Sequence, residues 1–96
     1  MADWRGFERL AERIARDLAP DATVTWNDHL PGRLTEGKRQ IDVSIRWSDA
    51  HREYLTIVQA KDWGTRADVK AIDAFASVIK DVDATQGVMV CRSGFT

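Results

Sequence analysis

The chain has 96 residues, of which 44% are hydrophobic and 30% are charged, and its formal net charge is −1. The length fits one domain, and the charge balance argues against a protein that coats nucleic acid through overall basicity. A single cysteine, Cys91, excludes an internal disulfide framework and indicates a reducing compartment, and no apolar run approaches the roughly 18 residues of a membrane-spanning helix, so we expect no membrane partner.

The first predicted element is a helix from Asp3 to Leu18, with Asp3 as its N-cap. Its apolar residues recur at spacings of three and four and form one continuous stripe: Trp4, Phe7, Leu10, Ala11, Ile14, Ala15 and Leu18. Glu8 falls at the edge of this stripe, while Glu12 lies further toward solvent. The sequence therefore allows Glu8 to look toward the rest of the protein from the border of the buried face.

The side of this helix opposite the stripe is basic. It carries four arginines: Arg5, Arg9, Arg13 and Arg16. A solvated helix face balanced by Glu12 and Asp17 is the simpler interpretation. A ridge that contacts phosphate groups is the alternative, because each guanidinium can bind a phosphate through two hydrogen bonds.

Two strands are predicted next, separated by a loop. A short strand covers Thr23 to Trp26. The stretch from Asn27 to Lys38 contains two glycines and a proline, which favours a loop, with a loose hairpin connection as the alternative. The strand from Gln40 to Trp47 alternates strictly. We therefore expect one apolar face made of Ile41, Val43, Ile45 and Trp47.

The remaining pattern completes an α/β domain. A strand from Tyr54 to Lys61 has the continuous apolar run of a strand buried on both faces. A helix from Ala67 to Val82 and a short strand from Gly87 to Cys91 follow, and a right-handed crossover through this helix makes the last two strands parallel. The prediction is a single domain over residues 1–96 with the order αβββαβ and a mixed four-stranded sheet flanked by helices.

Polar residues at the end of the third strand suggest a site. Gln59 and Lys61 project from the same face, and an antiparallel pairing of the second and third strands would bring Asp42 close to them. A structural ion pair between Asp42 and Lys61 is one interpretation. The other adds Glu8 and the backbone carbonyl of Ala60 to form a cluster of oxygen ligands of the kind that Mg²⁺ prefers.

These residues resemble a known family. Arg39–Val43 reads RQIDV, and sixteen residues separate its Asp42 from Gln59 in Val58–Asp62, which reads VQAKD. This pattern is similar to the motif of PD-(D/E)XK nucleases, and its glutamine resembles the QxK variant of Mrr-like type IV restriction endonucleases. Gly6-Phe7-Glu8 resembles the acidic motif of the first helix, and the segments Ile72–Phe75 and Ser93–Thr96 resemble downstream parts of restriction-endonuclease-like proteins.

The resemblance implies a fold of the restriction-endonuclease type and a DNA endonuclease that hydrolyses phosphodiester bonds with Mg²⁺, for which Mn²⁺ can substitute. It further implies defence against foreign or modified DNA in a prokaryotic cytoplasm. Glu8, Asp42, Gln59 and Lys61 would be the catalytic residues. Glu8, Asp42, Gln59 and Ala60 would hold the metal, and Lys61 would orient the attacking water or stabilise charge on the phosphate.

Candidate DNA contacts flank this motif. Arg33, Lys38 and Arg39 lie in the segment that leads into Asp42, and Arg66 and Lys70 lie near the start of the second helix: all five could reach the phosphate backbone. Two other classes of function stay open. One is a binding module that keeps the nuclease fold without turnover, and the other is an interaction domain that has lost nucleic-acid contact.

The last residues suggest how the sheet is covered. Thr96 is placed like an N-cap with no helix after it, whereas a further helix normally follows in the family that the chain resembles. We therefore expect a minimal or C-terminally truncated core. It would bury an exposed sheet face in a homodimer or depend on a missing C-terminal segment.

Overall fold

The fold is an α/β arrangement of two helices and one mixed sheet. The computed structural model describes residues 4–61 and 69–91, and the side chains of Trp4, Lys61 and Cys91 lie outside this description. In chain order the elements are α1 (Trp4–Leu18), β1 (Thr23–Pro31), β2 (Lys38–Ser48), β3 (Glu53–Lys61), α2 (Val69–Asp81) and β4 (Gln86–Cys91). This order confirms the predicted αβββαβ arrangement. The predicted helix ends Asp3 and Ala67 lie outside the described residues.

The sheet follows the order of the chain, β1-β2-β3-β4. β1 pairs with β2 and β2 with β3 in antiparallel fashion, while β3 and β4 are parallel. A parallel pair needs a long connection, and α2 supplies it. The predicted parallel pairing of the last two strands and the mixed character of the sheet are therefore confirmed, while the right hand of the crossover stays a prediction.

The α1 side of the sheet holds one apolar cluster. Phe7, Ala11 and Ala15 are buried and pack with Val43 and Ile45 of β2 and with Val58 of β3. Three of these residues come from the apolar stripe that the sequence predicted for α1. Their burial fixes the helix over β2 and leaves Glu12 and the arginine side of α1 exposed.

The α2 side holds a second cluster that corrects one prediction. Ile41 of β2 packs here with Leu30, Ile57, Phe75 and Val82, although strict alternation placed it on the face of Val43 and Ile45. The expectation that β2 has one unbroken apolar face is thus wrong. Residues 41 and 43 of one strand lie on opposite sides of the sheet, so the backbone departs from regular alternation at residue 42.

The pairing of β1 with β2 shows the same departure. The paired residues step from Trp26–Val43 to Asp28–Ile41, and Asn27, opposite Asp42, has a φ of 52°. Asparagine tolerates this left-handed conformation better than most residues do. A left-handed residue in β1 therefore accompanies the change of face, and Asp42 lies at that point.

The predicted loop from Asn27 to Lys38 is also corrected, because β1 continues to Pro31 and pairs there with Lys38. The true connection covers residues 32–37, where the Gly32 N–H donates to the carbonyl of Gly37 at 2.7 Å. The connection is therefore a hairpin, the alternative that the sequence allowed, and its tip is shorter than the predicted loop. Pro31 is tolerated because it lies at the end of an edge strand.

Asp81, the last residue of α2, anchors this hairpin tip although its side chain is only 1% exposed. Its Oδ1 accepts hydrogen bonds from the backbone N–H groups of Leu34 (2.6 Å) and Thr35 (3.2 Å). Its Oδ2 accepts from the Thr35 hydroxyl (2.8 Å) and from Arg39 Nε (2.7 Å). Its backbone carbonyl accepts from the Arg33 N–H at 2.8 Å. The carboxylate is fully satisfied and joins two distant parts of the chain.

Gly32 allows this close approach. A Cβ atom at this position would overlap the Asp81 carboxylate and the Thr35 hydroxyl. Any larger residue would therefore push the hairpin tip away from the end of α2.

Candidate functional site

The regular ladder between β2 and β3 ends at the pair Val43–Val58, so Asp42 and Gln59 would form the next pair. At this point side chains make the contacts between the strands. The Asp42 N–H donates to Gln59 Oε1 at 3.2 Å, and the Ala60 N–H donates to Asp42 Oδ2 at 2.9 Å. We call these three residues (Asp42, Gln59 and Ala60) the β2–β3 junction. The structure thus brings together three of the predicted metal ligands.

The junction offers oxygen atoms to a ligand. Asp42 is half-buried, and its Oδ2 is held by the Ala60 amide, while no donor among residues 4–61 and 69–91 contacts Oδ1. Gln59 Oε1 accepts from the Asp42 amide, so one of its two lone pairs is used. Asp42 Oδ1 is therefore the most available anionic atom of the junction.

Glu8 lies beside the apolar cluster on the α1 side of the sheet and is not part of the β2–β3 junction. It is half-buried on α1, next to Phe7, which packs against Val43. No contact in the described part of the chain joins Glu8 to the junction. Val58 and Ala60 pack on the α1 side, so alternation places Gln59 on the opposite side of β3. The role of Glu8 as a metal ligand stays a prediction.

Lys61 is the last residue of β3, where its backbone pairs with Cys91 of β4. Its side chain lies outside the described residues. The predicted role of Lys61 at the phosphate therefore stays a prediction as well.

The chemistry of the junction fits a hard divalent cation. Mg²⁺ is bound by one or two carboxylates, with carbonyl oxygens and waters completing an octahedron. The junction supplies one carboxylate oxygen, an amide oxygen and the Ala60 main chain. No group of three or more His, Cys, Asp or Glu side chains converges within the described residues.

The predicted DNA contacts have different surroundings. Lys38 and Lys70 are exposed, and Arg33 makes an exposed ion pair with Asp83 at 3.0 Å. Arg39 pairs with the buried carboxylate of Asp81, while Arg66 lies outside the described residues. Contact between any of these cations and DNA stays a prediction, and Arg39 has a structural partner that the sequence did not predict.

Asp81 is the residue of greatest structural weight that the sequence left unassigned. The hydrogen bond from Arg39, followed by those from Leu34 and Thr35, holds the pKa of the Asp81 carboxyl far below its ordinary value of 3.8, against the opposing effect of burial. Arg39 and Asp81 are 42 positions apart in the sequence. No local pattern joins positions so far apart, so only the tertiary fold reveals the pair.

A second polar network lies on β1 and β2. Asp28 Oδ2 accepts from the buried Ser44 hydroxyl at 2.6 Å and from Arg46 at 3.1 Å. Burial raises the pKa of the Asp28 carboxyl, but the hydrogen bonds from Ser44, Arg46 and the His29 amide outweigh it, and the pKa is lowered. This network satisfies its own members and explains how Ser44 is buried without cost to the sheet.

A protein-family model matches this chain. The family model Mrr_cat, described as restriction endonuclease, matches residues 1–96, the whole sequence. The chain belongs to the Mrr_cat restriction endonuclease family. The resemblance to Mrr-like nucleases and the restriction-endonuclease-like core are thereby confirmed, while the QxK variant stays a prediction.

A solved structure shares the fold. The chain is similar to the crystal structure of AF1548, a protein of unknown function, with a TM-score of 0.65 and 18% sequence identity. The match covers 88% of this chain and 46% of AF1548, so the chain spans about half of that protein's length. Curated proteins give no match. Neither described helix is long and apolar enough to cross a membrane.

Proposed function

We propose that this Mrr_cat domain is a metal-dependent endonuclease that hydrolyses phosphodiester bonds of DNA at the β2–β3 junction. The observation that carries the proposal is the position of Asp42. Its carboxylate lies where β2 and β3 stop pairing, and one of its oxygens accepts a hydrogen bond from the Ala60 amide. The chain also belongs to a family of restriction endonucleases, which supports a nuclease activity at this position. A carboxylate fixed in this way is preorganised to bind a cation without further ordering.

Mg²⁺ is the proposed cofactor, with Mn²⁺ as a substitute, and Asp42, Gln59, the Ala60 carbonyl and Glu8 are the proposed ligands. When bound, the metal would polarise the phosphodiester and lower the pKa of a bound water. Gln59 holds the Asp42 backbone through the amide hydrogen bond and so keeps the carboxylate in place. Hydrolysis forms a bond from water oxygen to phosphorus and breaks the bond to one sugar oxygen. Lys61 is proposed to orient that water or to stabilise the negative charge on the phosphate oxygens.

DNA is proposed to reach the junction across the cations that flank its motif in the sequence. Lys38 and Lys70 are exposed, which supports phosphate contacts at these positions, and Arg66 is proposed on its sequence position alone. Arg33 and Arg39 would have to share their guanidinium groups with Asp83 and Asp81. A cytoplasmic location, a single catalytic core over residues 1–96 and a homodimer belong to the same proposal.

A plasmid-nicking assay tests the proposal. The wild-type chain is titrated with Mg²⁺ and Mn²⁺, beside Asp42→Ala and Lys61→Ala. Two matched controls, Asp73→Ala and Lys80→Ala, remove the same side chains from exposed positions of α2. We expect metal-dependent nicking in the wild type and both controls, and none in the other two variants. Nicking that survives both Asp42→Ala and Lys61→Ala would exclude this site.

One observation favours a second function, a nucleic-acid-binding module without turnover. The amide of Gln59 carries no charge and its oxygen already accepts from Asp42, so the junction attracts a cation less strongly than a pair of carboxylates would. DNA binding that needs no metal, with no cleavage at any Mg²⁺ or Mn²⁺ concentration, would support this second function.

A further inference from the structure

The outer surface of α1 carries a row of cations that the proposed site does not use. We call Arg5, Arg9, Arg13 and Arg16 the arginine row. At 100° per residue the four positions fall within one narrow sector of the helix, and all four side chains are exposed. The row lies opposite Phe7, Ala11 and Ala15, which are buried against the sheet. At 1.5 Å per residue it extends over roughly 16 Å.

The arginine row has no acidic partners in the described part of the chain. The ion pairs of residues 4–61 and 69–91 involve Arg33, Arg39 and Arg46 and none of the row. Glu12 and Asp17, which the sequence offered as balancing charges, form no direct ion pair with the row within these residues. Like charges at spacings of three and four also destabilise a helix. An unpaired row of this kind is free to bind an anionic partner.

We infer that the arginine row is a second nucleic-acid contact, which binds the phosphate backbone of a duplex on the outer face of α1. The inference rests on the proposed function, since it assumes that DNA is the substrate. It adds a binding surface away from the β2–β3 junction.

Two observations favour nucleic acid over other anionic partners. Glu8 lies between the buried stripe and the arginine row on the helical wheel, so a duplex that passes Glu8 continues over the row. The apolar face of α1 is already buried in the core, and the exposed Leu10 is a single apolar side chain, whereas a helix that inserts into a lipid headgroup layer does so with a whole apolar face. The shallow groove on this face of α1 is lined by Arg9, Arg13 and Arg16 together with Gly6, Leu10 and the carboxylate of Glu12, so three of its four charged side chains are cations.

The test measures the salt dependence of binding to a 30-base-pair duplex by fluorescence anisotropy in EDTA, where no cleavage occurs. The full chain is compared with Arg9→Gln/Arg13→Gln and with a control, Arg52→Gln/Lys80→Gln, that removes two exposed cations elsewhere. A plot of log K against log salt concentration has a negative slope, and each lost phosphate contact reduces the magnitude of that slope by about 0.9. We expect the magnitude for the row variant to be smaller than the wild-type value by about 1.8, and the control to match the wild type. Arg9→Lys/Arg13→Lys should keep the wild-type slope, which shows that the loss is one of charge.

The outcomes separate this inference from the proposed function. If the wild type binds the duplex and the row variant behaves like the control, the inference is overturned while the proposed function stands. If the wild type does not bind the duplex at any salt concentration, the proposed function fails and the inference with it. If phosphatidylserine vesicles bind through the row and the duplex does not, the partner is a lipid surface and the inference is overturned.

Discussion

Two aspartates of this small domain have opposite surroundings. Asp81 accepts four hydrogen bonds, two on each carboxylate oxygen, and its side chain is almost completely buried. Asp42 accepts one hydrogen bond, from Ala60, and is only half-buried. The first carboxylate has its capacity filled by the protein. The second keeps an oxygen that no donor in the described residues contacts.

The difference separates a structural charge from a charge available to a ligand. A buried carboxylate that is fully hydrogen-bonded stabilises the fold and has nothing left for chemistry. A carboxylate held by one oxygen is fixed in place and can still bind a cation through the other. The comparison therefore predicts that changes at Asp42 affect activity and changes at Asp81 affect stability.

The largest effect is expected for Asp42→Asn on cleavage. The amide keeps the size of the side chain and can still accept from the Ala60 N–H, but it removes the negative charge that the metal needs. We expect the rate of DNA cleavage to fall at least about 100-fold, with a melting temperature within about 2 °C of the wild type. Activity is measured by plasmid nicking and stability by thermal denaturation. Loss of folding in this variant would assign Asp42 a structural role and would contradict the distinction between Asp42 and Asp81.

The converse effect is expected for Asp81→Asn on stability. An amide at this position cannot accept all four hydrogen bonds and leaves Arg39 without its anion. We expect the melting temperature to fall by about 5–15 °C. Asp83→Asn is the matched control, since Asp83 lies two residues away and its pair with Arg33 is exposed on both sides (70% and 64%). The control should melt within about 2 °C of the wild type, and an equal loss in both variants would contradict the account.

The pH dependence of stability tests the structural role of the Asp81 carboxylate. The pKa of Asp81 is lowered in the folded chain, chiefly by Arg39, so its ionised form stabilises the fold above the ordinary pKa of 3.8. That contribution is lost as the pH falls below 3.8 toward the folded pKa. We expect the stability difference between the wild type and Asp81→Asn to be full at pH 6 and to shrink as the pH falls below about 4. Denaturant titrations at each pH measure it, and a constant difference would contradict the assignment.

How far the sequence reaches is shown by these residues. The proximity of Asp42 and Gln59 follows from the antiparallel pairing of β2 and β3, which the sequence predicted, whereas their hydrogen bond forms where the alternation of β2 breaks. Ile41 lies on the face opposite to the predicted one, and this change of side accompanies the left-handed Asn27 in the neighbouring strand, which the pattern of β2 does not reveal. The Arg39–Asp81 pair joins the hairpin tip to the end of α2, and no periodic signal connects them. Local patterns predict elements and neighbouring strands. The change of face within β2 and the contact between Arg39 and Asp81 depend on the tertiary fold.

The smallest effects are expected at Gln59. Gln59→Leu removes the acceptor of the Asp42 amide and should cost about 1 kcal/mol of unfolding free energy, measured by urea denaturation.

Gln59→Glu keeps the acceptor and adds a charge next to Asp42. In EDTA this variant should melt below the wild type, because two carboxylates repel, and it should gain more from Mg²⁺. A Gln59→Glu variant that gains nothing from Mg²⁺ would argue against metal binding at the junction.

The most direct test of the central claim is the Mg²⁺ dependence of the melting temperature in three proteins measured side by side: the wild type, Asp42→Asn and Asp81→Asn. A ligand that binds only the folded chain raises its stability by mass action, which amounts to about 5 °C or more at concentrations far above the dissociation constant. We predict this rise in the wild type and in Asp81→Asn, and no rise in Asp42→Asn. An equal rise in Asp42→Asn, or none in the wild type, would contradict the assignment of the β2–β3 junction as the metal site.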